Sequence, residues 1–332
     1  MGISTILKKI VLVTGAAGFI GRELCRKMLA GNWYVRGIMR RSTYRNNLPF
    51  GVDVIPIEEI TPRTDWSKIL FGVHTVVHLA AQAHVINGLS EDSLAAYRYV
   101  NTAGTERLAQ TASASGVKRF VYLSTVKVNG EGKAGPYAEK DDPEPIDPYG
   151  ISKWEAEQIL YEISDQTGME MVVLRPPLVY GPWVKANFLH LLKILDRSIP
   201  LPLASINNRR SLIFLGNLLS AIVTCINHPR AAGQTFLVSD GEDVSTPELI
   251  RHINSALGRP ARLFPFPPVM LKMAGIITGK SVAMDRLLRS LTIDCSKIRR
   301  ELDWQAPFSM EQGLRETAKW YLKSASYPST IF

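Results

Sequence analysis

Ile10-Val11-Leu12-Val13-Thr14-Gly15-Ala16-Ala17-Gly18-Phe19-Ile20-Gly21 is the stretch whose reading decides the fold. A continuous apolar run suits a strand buried on both faces. It ends in glycines at 15, 18 and 21, and an amphipathic stretch over 22–30 follows. Glycines at these points permit a tight turn, close approach of the backbone to a pyrophosphate, and close packing of helix on strand. The phosphates then rest on the helix amino terminus. A glycine triplet alone is weak evidence, but the strand–turn–helix setting favours dinucleotide binding over a structural turn. Gly15, Gly18, Phe19, Ile20 and Gly21 are therefore candidate cofactor contacts.

Working outward, β-rich runs at 9–14, 34–40, 53–57, 75–79, 119–124 and 169–175 alternate with helical stretches such as 22–30 and 102–115. That alternation predicts an α/β fold, a doubly wound parallel sheet of the Rossmann type. After Arg175, prolines at 176, 177, 182, 200, 202 and 265–268 (with Phe266 between them) mark irregular loops. Phe236-Leu237-Val238-Ser239 reads as one more strand. Thr246 is the expected cap of a helix with Pro247 at its first position, and Ser309 with Gln312 forms a capping-box pattern. The simplest division is a dinucleotide-binding domain over 1–176 and 212–245 and a smaller carboxyl-terminal substrate lobe over 177–211 and 246–332. No internal repeat is present.

The bulk properties set limits. A chain of 332 residues with 46% hydrophobic and 21% charged content is ordinary globular material. The net charge of +9 is scattered in short clusters such as Arg40-Arg41, Arg209-Arg210 and Arg299-Arg300, which favours anionic small ligands over a nucleic-acid footprint. Cys25, Cys225 and Cys295 are distant and odd in number, as in a reduced cytoplasmic protein. The six histidines show no ligand spacing, so no metal is expected. The apolar stretch 263–279 is broken by prolines and Lys272, and the run 10–13 is too short for a signal core, so no membrane span is expected.

Chemistry first shows in Asp147-Pro148-Tyr149-Gly150-Ile151-Ser152-Lys153. A spacing of four puts the phenol and the ammonium on one helical face. A free tyrosine pKa near ~10 is too high for acid–base work at neutral pH, and a neighbouring cation lowers it. Of the 11 tyrosines, only Tyr149 has a lysine four residues on. Sites that prefer NAD place an acid about 20 residues past the glycine loop to hold the ribose 2′-hydroxyl. Here Ile38-Met39-Arg40-Arg41-Ser42 contains none, and arginines pair with a 2′-phosphate. NADP(H) is therefore expected ahead of NAD(H), with use of both open.

With these motifs in order, the chain resembles the extended short-chain dehydrogenase/reductases, in the NAD-dependent epimerase/dehydratase branch that acts on nucleotide sugars. The likeness covers nearly the whole length. It rests on the glycine loop, His78-Leu79-Ala80-Ala81, Asn101, Leu123-Ser124-Thr125, Tyr149-x-x-x-Lys153, Arg175-Pro176-x-x-Val179-Tyr180-Gly181-Pro182, and Asp294-x-Ser296-Lys297 before Leu302-x-Trp304. The resemblance implies that Tyr149 is the catalytic acid/base, that Lys153 lowers its pKa and holds the nicotinamide ribose, and that Thr125 hydrogen-bonds the reacting oxygen. It implies that Leu79, Ala80, Ala81 and Pro176 line the cofactor channel. Asn101 would brace the site or simply cap a helix. Asn187 and Arg210 would grip a UDP diphosphate, with Arg286 or Arg289 as a second arginine; His84 and His190 are weaker pocket candidates. The resemblance also implies pairing of two copies through the helices after Asn101 and Tyr149.

Three chemistries share this scaffold. A 4,6-dehydratase needs an acid pair after the threonine, and Val126-Lys127 stands there instead. The stretches 124–131, 149–157 and 200–203 are similar to UDP-N-acetylquinovosamine dehydrogenases. They imply NAD(P)H-dependent reduction of the C4 ketone of a UDP-4-keto-6-deoxy-N-acetylhexosamine in surface polysaccharide synthesis. A UDP-hexose 4-epimerase with bound NAD, on UDP-glucose or UDP-GlcNAc, is the alternative enzyme. A non-catalytic dinucleotide sensor is the third reading, against which Thr125, Tyr149 and Lys153 together argue.

Overall fold

A computed structural model describes residues 8–43, 48–83, 91–279 and 281–326, so His84 lies outside the described residues. The strands in chain order are β1 (Ile10–Thr14), β2 (Tyr34–Arg40), β3 (Asp53–Ile57), β4 (Val73–His78), β5 (Arg119–Leu123), β6 (Glu170–Arg175), β7 (Leu178–Tyr180), β8 (Arg210–Phe214), β9 (Gln234–Leu237) and β10 (Asp243–Val244). The α-helices are α1 (Phe19–Ala30), α2 (Glu91–Tyr97), α3 (Gly104–Ala114), α4 (Pro148–Thr167), α5 (Ala186–Asp196), α6 (Leu215–Asn227), α7 (Thr246–Leu257), α8 (Pro268–Ile277), α9 (Ser281–Leu288), α10 (Ser296–Leu302) and α11 (Met310–Ser326).

The larger sheet runs β3-β2-β1-β4-β5-β6-β9, with every neighbouring pair parallel. Strand alternation explains its two cores. Val11 and Val13 of β1 enter one core with Leu24, Cys25, Leu218 and Ile222 of α1 and α6. Leu12 enters the other with Leu108, Ala112, Leu160 and Ile163 of α3 and α4. Each such aliphatic side chain contributes roughly 1.5–3 kcal/mol when fully buried. The order reverses at β1, between β2 and β4, which opens a crevice at the carboxyl ends of these strands.

A small sheet, β10-β8-β7, carries a third core built around Tyr180, Phe188, Phe214, Ile250 and Leu314. The expected cut at 211/212 falls inside β8. Residues of the expected second segment also return to the large sheet, because Ile298, Leu302 and Trp304 pack in its first core.

One cap differs from expectation. Ser245, not Thr246, caps α7: its Oγ accepts from Glu248 N at 3.3 Å, and its own N donates to Glu248 Oε2 at 2.7 Å. Glu248 is the third helical residue only when counted from Ser245, so reciprocity selects that serine. Thr246 instead exchanges hydrogen bonds with Asn208. Ser309 and Gln312 form their box as expected. All three cysteines are buried and unbridged. Among the described residues no helix is long and apolar enough to cross a membrane, and no His/Cys/Asp/Glu group is placed to hold a metal.

Candidate functional site

The glycine loop closes on itself. Gly15 sits at φ +66°, where a side chain is strained, and Gly18 N donates to Gly15 O at 2.9 Å. Ala16 N donates to Ile38 O at 3.0 Å, tying the loop to β2. Gly18 precedes α1 without a side-chain cap, so the first-turn N–H groups are available to an anion. Beside them a cleft of about 460 Å³ is lined by Gly15, Gly18, Arg40, Leu79, Ala80 and others. These residues fit a dinucleotide: glycine backbone for the pyrophosphate, a helix end for its charge, and apolar walls. A Cβ on Gly21 would meet Gly15 O at 2.2 Å and Ala16 Cα at 2.9 Å, both backbone atoms. Gly21→Ala is therefore expected to displace the loop, costing roughly 1–3 kcal/mol of stability and weakening dinucleotide binding. Thermal unfolding and dinucleotide titration read both effects; an unchanged midpoint with unchanged affinity would refute the packing role.

The two arginines after β2 part ways. Arg40 lines the cleft. Arg41 belongs to the following 3₁₀ turn and pairs with exposed Glu58 at 3.1 Å, away from the cleft lining. Glu59 and Lys185 also line the cleft, and the sequence reading passed over both. Ala81 lines it too, while Phe19 and Ile20 pack into the cores, leaving their backbone as their contribution to the helix end.

Thr125, Tyr149 and Lys153 come from the end of β5 and the first turns of α4. Asp147 caps α4 by accepting from Gly150 N at 2.7 Å, with Pro148 in the first turn. Tyr149 is half-buried and its ring lies 6.1 Å from that of Tyr97. Thr125 opens a 3₁₀ turn that docks on Pro176, whose carbonyl accepts from Val126 N at 3.0 Å. Thr125 Oγ1 accepts from Lys127 N at 3.3 Å. Lys127 pairs through Nζ with Asp147 and, at 3.2 Å, with Glu131. The residue standing in the acid position thus clamps the threonine turn to the cap of the tyrosine helix.

Electrostatics here depart from expectation. Burial first, then Asp147 and Tyr97, push the Tyr149 phenol above its usual pKa rather than below it. Lys153 is itself fully buried, and its Nζ lies 3.9 Å from the centre of the Tyr122 ring. Burial lowers its pKa to about 7, with Glu157 pulling upward.

A buried column joins this group to the glycine loop. The Tyr122 ring stacks on His78 at 5.8 Å. His78 bonds Thr14 Oγ1 at 2.7 Å and Thr105 Oγ1 at 3.0 Å, and burial drops its pKa to about 3, so it is neutral. Thr14 Oγ1 also accepts from Leu79 N and Ala80 N, so its own proton goes to His78 Nδ1. Asn101 supplies a second link: its Oδ1 accepts from Gln82 N at 2.8 Å and its Nδ2 donates to Gln82 O and Ser152 Oγ, both at 3.0 Å. It does not open a helix. It sits within a π-helical stretch, Arg98–Ala103, whose wider turn aims this amide between cleft wall and α4.

The expected diphosphate residues are less gathered. Arg210 starts β8, half-buried, and burial pulls its pKa below the usual arginine value, with Glu131 partly opposing. A bridge from Arg210 to Leu291 brings the segment carrying Arg289 alongside, but the exposed Arg289 side chain lies 3.9 Å from Asp285. Asn187 and His190 are exposed on α5. The side chain of Arg286 is outside the described residues.

Residues 11–239 match the model of the NAD dependent epimerase/dehydratase family. A UDP-glucose 4-epimerase of Vibrio cholerae is 41% identical over 322 residues, covering 96% of this chain and 97% of the relative. N-acetyl-alpha-D-glucosaminyl-diphospho-ditrans,octacis-undecaprenol 4-epimerase of Escherichia coli O157:H7 is 26% identical, covering 97% of this chain and 98% of that one. Among solved structures, UDP-glucuronic acid 4-epimerase from Bacillus cereus in complex with NAD superposes with a TM-score of 0.75 at 23% identity, over 95% of this chain and 96% of that chain.

Proposed function

The chain belongs to the NAD dependent epimerase/dehydratase family, and from that premise we propose that it transfers a hydride at C4 of a UDP-hexose, with net reduction of a 4-keto sugar as the reading its geometry supports best. The substrate class follows the relatives, whose names specify UDP-glucose and UDP-glucuronic acid. The observation that carries net reduction is Arg40 lining the cleft where an NAD-retaining site would place an acid. A guanidinium there favours NADPH, a dinucleotide that is consumed and exchanged rather than kept.

When bound, the nicotinamide supplies or accepts the hydride. The chain supplies the rest. Tyr149, held protonated by its buried setting, donates to the C4 oxygen. Thr125 hydrogen-bonds the same oxygen, on a turn fixed by Pro176 and by the Lys127–Asp147 pair. Lys153 holds the ribose beside Tyr149. Arg210, with Arg289 on the adjoining segment, grips the diphosphate. The stretches 124–131 and 149–157 favour a UDP-4-keto-6-deoxy-N-acetylhexosamine as the ketone.

A second reading has its own support. The 41% identical Vibrio cholerae relative is a 4-epimerase, and the relatives favour that reading at least as strongly as the site favours reduction. One assay separates them. The purified chain is given UDP-4-keto-6-deoxy-N-acetylglucosamine with NADPH or NADH, and nicotinamide absorbance is followed. Stoichiometric oxidation, faster with NADPH, is expected. Interconversion of UDP-glucose and UDP-galactose without added dinucleotide would replace the reductase with the epimerase.

A further inference from the structure

Among the described residues that line the cleft beside the glycine loop, Lys185 is the only one from beyond position 100. Three of the lining residues are charged: Arg40, Glu59 and Lys185. Lys185 shares the cleft with Gly15, Ala17 and Gly18, the loop at the amino end of α1. It is exposed, and among the described residues it forms no ion pair, with Glu59 or with any other acid. An ammonium without a counter-ion, facing the cleft that holds a helix amino terminus, leaves its charge for a bound anion.

The backbone on either side of Lys185 is held in a costly shape. Five non-glycine residues among those described lie in the left-handed region, and two of them flank this lysine: Trp183 at φ +73° and Ala186 at φ +50°. Such conformations persist only where the surroundings impose them, and they gather at ligand clamps. The surroundings here are identifiable. Val184 and Phe188 are buried in the core of the substrate lobe, and Val184 N donates to Gly181 O at 3.1 Å. The Trp183 ring lies 5.7 Å from that of Trp320 and stacks on Arg22, whose guanidinium carbon is 3.9 Å from the ring centre. Arg22 belongs to α1, and its N donates to Gly18 O at 3.2 Å. The strap 181–186 is thus pinned to the core of its own lobe and to the helix whose amino end faces the cleft.

We propose that Lys185 is a dinucleotide-binding residue, its ammonium meeting the cofactor pyrophosphate on the glycine loop from the opposite lobe, with Trp183 as the residue that positions it. The proposal rests on a dinucleotide occupying this cleft and is independent of whether the hydride stays with the sugar. The diphosphate of a UDP-sugar is the competing anion, since Asn187 stands two residues on. Neither Asn187 nor Arg210 lines the cleft, whereas Lys185 shares it with the glycines. Pyrophosphate is common to NADH and NADPH, so Lys185 sets affinity for both, while a contact from Arg40 to the 2′-phosphate would separate them.

Titration of the full chain with NADH and NADPH by fluorescence, and with UDP by calorimetry, tests this. Lys185→Met is expected to weaken both dinucleotides equally, by about tenfold, and to make their affinity less sensitive to salt. UDP affinity and the unfolding midpoint should stay as in the parent, and Lys185→Arg should recover most of the dinucleotide affinity. Trp183→Ala is expected to weaken both dinucleotides as well, yet to add little to the loss in Lys185→Met, because it acts through that lysine. Parent-like dinucleotide binding by Lys185→Met would overturn the proposal, as would a loss confined to NADPH or a loss of UDP in place of the dinucleotides. Additive losses in the double variant would overturn the positioning role of Trp183. A parent chain that binds neither dinucleotide would overturn the assignment of the cleft itself, and this proposal with it.

Discussion

Tyr149→Phe is expected to lower turnover of a 4-keto UDP-sugar by about 10²–10⁴-fold, the usual contribution of a positioned general acid, while dinucleotide binding is retained. The substitution removes only the hydroxyl. The ring keeps its packing on Tyr97, and neither the glycine loop nor Arg40 depends on it. Lys153→Met should behave differently, losing both turnover and dinucleotide affinity, since the role proposed for Lys153 is to hold the ribose. Rapid-mixing kinetics alongside dinucleotide titration separate the two. A fully active Tyr149→Phe enzyme would remove Tyr149 from the mechanism.

The same pair sets a pH dependence. Tyr149 is pushed above its ordinary pKa and stays protonated across the neutral range, so proton donation does not fade there. Lys153 is charged below about 7 and neutral above it. A step that needs the ammonium therefore declines as pH rises through about 7. Stability runs the other way. Between about 7 and the ordinary lysine value of 10.5 the folded chain holds fewer protons at Lys153 than the unfolded chain does, so this group's penalty is full below that window and fades across it.

Local signals carried most of the fold. The strands at 34–40 and 53–57 stand where alternation and turn residues put them, and the others shift by one or two residues. The cofactor loop was equally legible, because glycine spacing encodes a backbone demand within eight residues. Contacts closed over long stretches of chain were not legible. Lys127 was read as an absent acid, and only folding shows it clamping Asp147, 20 residues on. Lys185 reaches the cleft from the far lobe, and Arg210 meets Leu291 by a bridge across the lobe. Asn101 carried no signal of its wider turn. The lowered pKa expected for Tyr149 failed for a related reason: spacing on a helix places two side chains on one face, but burial and the Tyr122 ring decide where the ammonium points.

Arg175→Met is expected to be the most destabilising of these substitutions, by about 3–5 kcal/mol, because it strands a buried charge. Glu157 is wholly buried on α4, and Arg175 closes on it from the end of β6 through Nε at 3.1 and 3.2 Å and through Nη2. Arg175 Nη1 also donates to Asn129 Oδ1 at 3.1 Å, and Ser124 donates to the same carboxylate. The cluster therefore ties β5, β6 and α4 together directly beneath Thr125 and Lys153. Desolvating both ions cancels much of their attraction, so the pair adds little net stability compared with apolar residues of the same size. Loss of one partner is what costs. Arg175→Met/Glu157→Leu should accordingly recover most of the stability lost by Arg175→Met, and urea unfolding of the single and double variants gives the coupling. A single variant within about 1 kcal/mol of the parent, or a double variant as unstable as the sum of its parts, would contradict this account. The double variant should still be a poor enzyme, since Glu157 is also the charge that holds the Lys153 pKa up. Stability regained without turnover would place the function of the ion pair in orienting the ammonium beside Tyr149 rather than in holding the fold together.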